Sequence, residues 1–230
     1  MPLQLETRRV GKVTILTCAG RIVAGAEVDQ LHKEVSAHLP ENRHFVLHLN
    51  GVNFIDSSGL GLLVRLAAST RSVRGDLRLC NLSREVAHVL QITNLNRVLE
   101  SHESEADAIT ALYQRGNIST VDGKQGKTIV CVDESTNVLA YVRELLRHAG
   151  FDPVTTPNLV DARILITAAR PAVVIIGPNI AARQNDKKHP LKEVLQGIPT
   201  ITLDGSFSTT DAGEAAQHVL DQVRAHTANS

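Results

Sequence analysis

Along the first half of the chain, short runs of alternating apolar residues are interrupted by longer segments in which they recur every three or four positions. Residues 3–10 and 13–18 are strand-like runs separated by Gly11-Lys12, the pattern of a hairpin. In 26–39, Val28, Leu31, Val35 and Leu39 recur at helical spacing and Pro40 lies just beyond, so a helix is predicted there. Phe45 to Leu49 reads as a buried strand. From Ser57 to Ala68 the apolar residues come too densely for a two-residue period, and Leu, Ala and Arg dominate, which predicts a helix buried over much of its surface. A strand over 77–82, a helix over 83–92 capped by Ser83 and a strand over 97–100 follow. A helix over 104–113 closes this half; Ser104 caps it, Asp107 falls three residues later, and Ala108, Leu112 and Tyr113 face inward.

A polar, glycine-rich stretch comes next, and the division it marks is 1–116 for a first domain, 117–127 for a linker and 128–230 for a second domain. The second half opens on the apolar run Thr128 to Val132, ending in Asp133 and Glu134. Ser135 caps a helix with Val138, Val142, Leu145 and Leu146 on one face, and Gly150 ends it. A strand near Val154, a helix over 159–169, strands over 171–177 and 199–204 and a helix over 211–225 complete the pattern. The fold class is therefore α/β, with a mixed sheet and helices in the first domain and a doubly wound parallel sheet in the second. Gly126-Lys127-Thr128 is not a phosphate loop, because Val121 stands where such a loop needs its first glycine and a strand follows instead of a helix.

Composition narrows the function. Lysine plus arginine equal aspartate plus glutamate at 24 each, so no global field draws the chain to nucleic acid or an anionic membrane. Aromatic residues are 3% with no tryptophan, which argues against a base-stacking platform. Cys18, Cys80 and Cys131 sit far apart in apolar strands without metal-ligand spacing, as buried free thiols of a reducing cytoplasm do. The first residues lack a basic stretch followed by an apolar one, so no signal peptide is expected, and no run is long enough for a membrane span.

The stretch that carries chemistry is Phe54-Ile55-Asp56-Ser57-Ser58-Gly59-Leu60-Gly61, between the strand and the leucine-rich helix. Asp and Ser are good helix caps, and that alone accounts for most Asp-Ser-Ser-Gly sequences. Gly59 and Gly61 would keep the first helical turn thin. In its context the stretch resembles the signature of the STAS domain of anti-sigma factor antagonists. The resemblance extends to Gly20-Arg21-Ile22-Val23-Ala24-Gly25, to Asp76 through Leu82, and to the helix from Val86 to Thr93. It implies a cytoplasmic, non-enzymatic regulator that binds an anti-sigma factor serine kinase when unphosphorylated and releases it when phosphorylated. By the same resemblance the acceptor is Ser57, with Ser58 second, and Asp56, Ser57, Ser58, Gly59 and Leu60 form the partner-binding set. A phosphate adds about −1.5 to −2 charges, which a helix N-terminus tolerates and a packed interface does not. One departure from the family pattern is Val23, where relatives often carry an acid. The alternative reading is a non-switching STAS adaptor in a sensory complex, with Ser57 serving only as a cap.

The second half resembles a response-regulator receiver domain, degenerate and shortened. Asp133 and Glu134 match that family's acidic metal-binding pair, but Gly177 stands in the phosphoacceptor position and Asp204 where a hydroxyl residue is usual, and neither a fifth strand nor a Lys-Pro pair is evident. The resemblance implies an interaction module for other signalling proteins. No cofactor is expected beyond Mg at Asp133, Glu134 and Asp204, a lesser alternative. A third class, a metal-dependent phosphatase or nucleotide binder on this sheet, is disfavoured because no nucleophile is paired with a base.

Overall fold

The computed structural model describes residues 1–114, 118, 127–181, 190–203 and 212–228. The chain divides into two compact units, Met1–Ile118 and Ser119–Ser230. The first runs β1 (Gln4–Val10), β2 (Val13–Ile22), α1 (Ala26–His38), β3 (His44–Ile55), α2 (Ser57–Ser72), β4 (Asp76–Cys80), α3 (Arg84–Ile92), β5 (Ser101–His102) and α4 (Glu105–Gln114). Its sheet has the order β1-β2-β3-β4-β5, with the hairpin β1-β2 antiparallel and every other pairing parallel. The helices start where local chemistry dictates. Ser83 Oγ accepts the Val86 amide at 3.2 Å. Ser104 Oγ accepts the Asp107 amide at 3.1 Å and donates to the Asp107 carboxylate at 2.6 Å, a reciprocal cap.

β3 is longer than its alternation predicts, and the reason lies in its register. Phe45, Leu47, Leu49, Val52 and Ile55 all enter the core formed with α1, α2 and α3, a spacing of two, two, three and three. Each step of three coincides with a shift against β2, where one extra residue of β3 bulges from the ladder. A period of two fails at each bulge, so the sequence pattern stops at Leu49 while the strand goes on to Ile55. The strand expected over 97–100 is also displaced. Residues Leu95–Arg97 form a 3₁₀ turn and the strand is Ser101–His102, because Leu99 turns into the core instead of alternating along an edge.

The opposite face of this sheet carries a fully buried charge. Arg78 of β4 places its guanidinium 2.5 Å from Asp76 Oδ2 and 2.5 Å from Glu100 Oε2. Two carboxylates are what such a buried cation requires.

The second unit runs β6 (Thr128–Val132), α5 (Thr136–His148), β7 (Asp152–Thr156), α6 (Leu159–Ala169), β8 (Val173–Ile176), α7 (Pro178–Ala181), β9 (Thr200–Thr202) and α8 (Ala212–Ala228). Its four strands are all parallel, in the order β7-β6-β8-β9. Residues of α5 and α8 pack on Ile129, Cys131, Val173 and Ile175, and α6 packs against β6 and β7. In α5 the buried positions are Leu139, Val142 and Leu146, while Val138 and Leu145 are half-buried at the margin. The linker expected over 117–127 lies outside the described residues except for 118 and 127. Among the described residues no helix is long and apolar enough to cross a membrane.

Candidate functional site

The end of β3 and the start of α2 build the site. Asp56 is the cap: its Oδ1 accepts the Gly59 amide at 2.8 Å. Its Oδ2 reaches across to the turn after β2 and accepts the Ala24 amide at 3.0 Å. Asp56 also donates its own amide to the Ile22 carbonyl at 3.2 Å. One side chain thus ties the 23–25 turn to the first turn of α2. The amide of Ala24, then that of Gly59, stabilises the charged carboxylate and holds its pKa below the ordinary value.

With Asp56 as cap, Ser57 is the first helical residue and its side chain is exposed, while Ser58 is half-buried. Ser57 is therefore not needed to cap the helix, as the sequence left open. At this helix N-terminus Asp56 already holds the Gly59 amide. Of the five residues predicted to meet a partner, Ser57 lies open, Asp56 and Ser58 partly so, Gly59 is buried and Leu60 is 8% exposed within the core. Phe54, which the sequence did not single out, takes the place of Leu60 as the apolar group on the surface, at 56% exposure. The bulge at Asn53 explains this. Between the Gly20–Val52 and Arg21–Phe54 pairs β3 has one extra residue, so Ile55 turns inward and Phe54 outward. The legible signal was the adjacent apolar pair Phe54-Ile55, where the alternation breaks.

The two glycines differ. A Cβ on Gly59 would lie 2.4 Å from the Ile22 carbonyl oxygen and 2.8 Å from Ile55 Cγ1, so α2 rests directly on the end of β2. A Cβ on Gly61 would meet only Arg65 Nη1, at 3.4 Å, so no backbone packs against that residue.

In the second unit, Asp133 ends β6 and is 1% exposed. Its Oδ1 accepts the Ser135 amide at 2.7 Å and Asn179 Nδ2 at 2.9 Å, and its Oδ2 accepts the Asn179 amide at 3.1 Å. Gly177 packs beside it: a Cβ there would stand 2.1 Å from Asp133 Oδ2. Glu134 is exposed, and Asp204 lies outside the described residues. Both oxygens of Asp133 are committed to protein donors, and among the described residues no three His, Cys, Asp or Glu gather as metal ligands. Of the three expected ligands, two are described, and of these Asp133 is taken up by protein donors. All three cysteines are free and buried, and burial pushes each thiol up to about 12.

Known proteins match the first unit in sequence. The STAS domain family matches residues 4–108. BtrV of Bordetella bronchiseptica, named as an anti-sigma factor antagonist, is 33% identical over 105 residues, covering 44% of this chain and 90% of that protein. The anti-sigma F factor antagonist of Paenibacillus polymyxa is 24% identical over 113 residues, or 49% of this chain and 97% of its own. Among solved structures, that of an anti-sigma factor antagonist from Thermotoga maritima is 24% identical with a TM-score of 0.44, covering 47% of this chain and 93% of its own. Unphosphorylated SpoIIAA is 24% identical with a TM-score of 0.41, covering 50% and 96%. With a relative one-third identical over nine-tenths of its length, and with the Asp56–Gly59 turn in place between β3 and α2, the chain belongs to the STAS-domain family that includes the anti-sigma factor antagonists.

Proposed function

We propose that the chain is an anti-sigma factor antagonist that works by partner switching: it binds an anti-sigma factor serine kinase while Ser57 is unmodified and releases it once Ser57 is phosphorylated. The observation that carries the reading is the exposed Ser57 hydroxyl at the head of α2, freed from capping by Asp56. In the transfer, Ser57 Oγ attacks the γ-phosphorus of the kinase's ATP, ADP leaves, and the hydroxyl proton passes to a base of the kinase. The new charge then sits within a docking face that includes Phe54, where a partner would have to desolvate it. A loss of about 3 kcal/mol is a more than hundredfold loss of affinity. The chain contributes no catalysis and acts in the cytoplasm.

The second unit, in this reading, is a receiver-like module that acts by contact. Its strand order reproduces the first four of the 2-1-3-4-5 arrangement. Gly177 at the end of β8 offers no carboxylate to a phosphoryl donor, and Asp133 is held by Asn179.

The test is to incubate the full chain with purified anti-sigma factor kinases of the source organism and ATP, then locate phosphate by mass spectrometry. Phosphate on Ser57, lost in Ser57→Ala, is expected. Phosphate on Ser58 alone moves the switch by one residue, and none on either leaves the adaptor reading in possession.

A further inference from the structure

The face of α2 that runs away from Ser57 carries a cation with nothing to balance it. Ser57, Gly61 and Arg65 stand four residues apart, one above another on the outer side of the helix. Arg65 is exposed, and among the described residues it makes neither an ion pair nor a hydrogen bond. Its guanidinium lies along the helix surface. Nη1 lies 3.4 Å from the position a Cβ of residue 61 would take, so the side chain is folded back toward the helix N-terminus across the bare backbone of Gly61. The Cβ positions of residues four apart on a helix are about 5–6 Å from each other. The guanidinium thus lies over Gly61, one helical turn from Ser57 on the same side of the helix. The other arginine near the site, Arg21, is occupied, with Nε 3.3 Å from Glu27 Oε1.

We infer that Arg65 is the internal partner of phosphorylated Ser57, receiving the phosphoryl group across Gly61. This rests on the Ser57 switch proposed above and specifies where the phosphate goes. The Gly59 amide is held by Asp56, so the helix terminus is already supplied with an anion. A phosphoryl group on Ser57 Oγ adds three acceptor oxygens, and the planar fork of a guanidinium matches two of them. Gly61 is the open channel between the two: any larger side chain would fill it. Asp56 and Arg65 then act on the phosphate in opposite senses, the carboxylate disfavouring its dianion and the guanidinium favouring it.

The experiment installs phosphoserine at position 57 of the full chain during translation, by suppression of an amber codon, so that no kinase is involved. The second ionisation of the phosphate, near pH 6 in a free phosphoserine, is followed by phosphorus NMR. In the chain with Arg65 it should fall about 0.5–1 pH unit below that in Arg65→Gln, the shift one opposite charge produces at ~4 Å in near-aqueous surroundings. Gly61→Leu keeps the guanidinium but closes the channel, and should lose the shift as fully as Arg65→Gln does. Both positions are at the surface, so circular dichroism should report an unchanged fold. Equal ionisation in the parent and Arg65→Gln overturns the pairing, as does a full shift retained in Gly61→Leu. Because the phosphate is installed directly, either result counts against Arg65 alone, while a kinase that never modifies Ser57 counts against the switch.

Discussion

Replacing Gly59 and Gly61 separately by alanine should move stability in opposite directions, although the two lie in the same turn and the same helix. Each change removes the cost of glycine in a helix interior, about 0.8–1 kcal/mol relative to alanine. At Gly61 the new methyl meets only the tip of Arg65, at 3.4 Å, and that side chain can shift. Gly61→Ala should therefore stabilise by about 0.5–1 kcal/mol. At Gly59 the methyl would lie 2.4 Å from the Ile22 carbonyl oxygen, 2.8 Å from Ile55 Cγ1 and 3.0 Å from Ile22 Cγ2. The carbonyl cannot retreat, because it accepts the Asp56 amide and ends a strand paired with Ile55. The helix must move instead, which strains the Gly59–Asp56 hydrogen bond. Overpacking of this kind costs about 1–3 kcal/mol, more where the obstacle is backbone. The propensity gain is common to both, so the two variants should differ by about the overpacking cost, ~1–3 kcal/mol. With a urea dependence of about 1–3 kcal/mol per molar, their midpoints for the first unit should lie on the order of 1 M apart. Urea titration of the full chain by circular dichroism measures this. If both variants gain equally, α2 does not rest on β2 and the clamp geometry is wrong.

Three further outcomes are expected. Phe54→Ser should change stability by less than about 0.5 kcal/mol, since the ring is mostly exposed, yet weaken binding of the anti-sigma partner tenfold or more; isothermal titration with unchanged affinity would remove Phe54 from the docking face. The Asp56 carboxyl has a folded pKa below its unfolded one, so its contribution is present above the unfolded value and lost as pH falls through the folded value. Asp56→Asn should accordingly be less stable than the parent at neutral pH, and the difference should shrink in acid below the ordinary carboxylate range; a difference independent of pH contradicts this. Gly177→Ala should destabilise the second unit, because its Cβ would meet Asp133 Oδ2 at 2.1 Å, and adding Asp133→Ala should recover part of the loss; strictly additive thermal shifts in the double variant would show that the two residues do not collide.

Where α3, α4 and α5 begin was legible, because Ser83, Ser104 and Ser135 announce themselves by side-chain chemistry that acts within three residues. The parallel sheet of the second unit followed from alternation of strand and helix. What could not be read were features set by distant partners. Arg78 looks like a surface residue in an alternating strand, and only the arrival of Glu100 and the cover on that face make it internal. Asp133 reads in the sequence as half of an acidic pair, and nothing there shows Asn179, far along the chain, donating to it. Phe54 faces outward because a bulge changes the phase of β3, and a bulge is a relation between two strands, not a property of one.

The order β7-β6-β8-β9 has a bearing on how the second unit is made. β6 is first in the chain but lies between two neighbours, and β8 arrives only after α5, β7 and α6 have been synthesised. Until then one whole edge of β6, with Ile129, Val130, Cys131 and Val132 along it, has no strand to pair with. Such an edge is a template for other chains. A ribosome that stalls, or a protease that cuts, between Thr156 and Val173 would thus release a sticky fragment, whereas a chain interrupted ahead of Thr128 would not yet contain that edge.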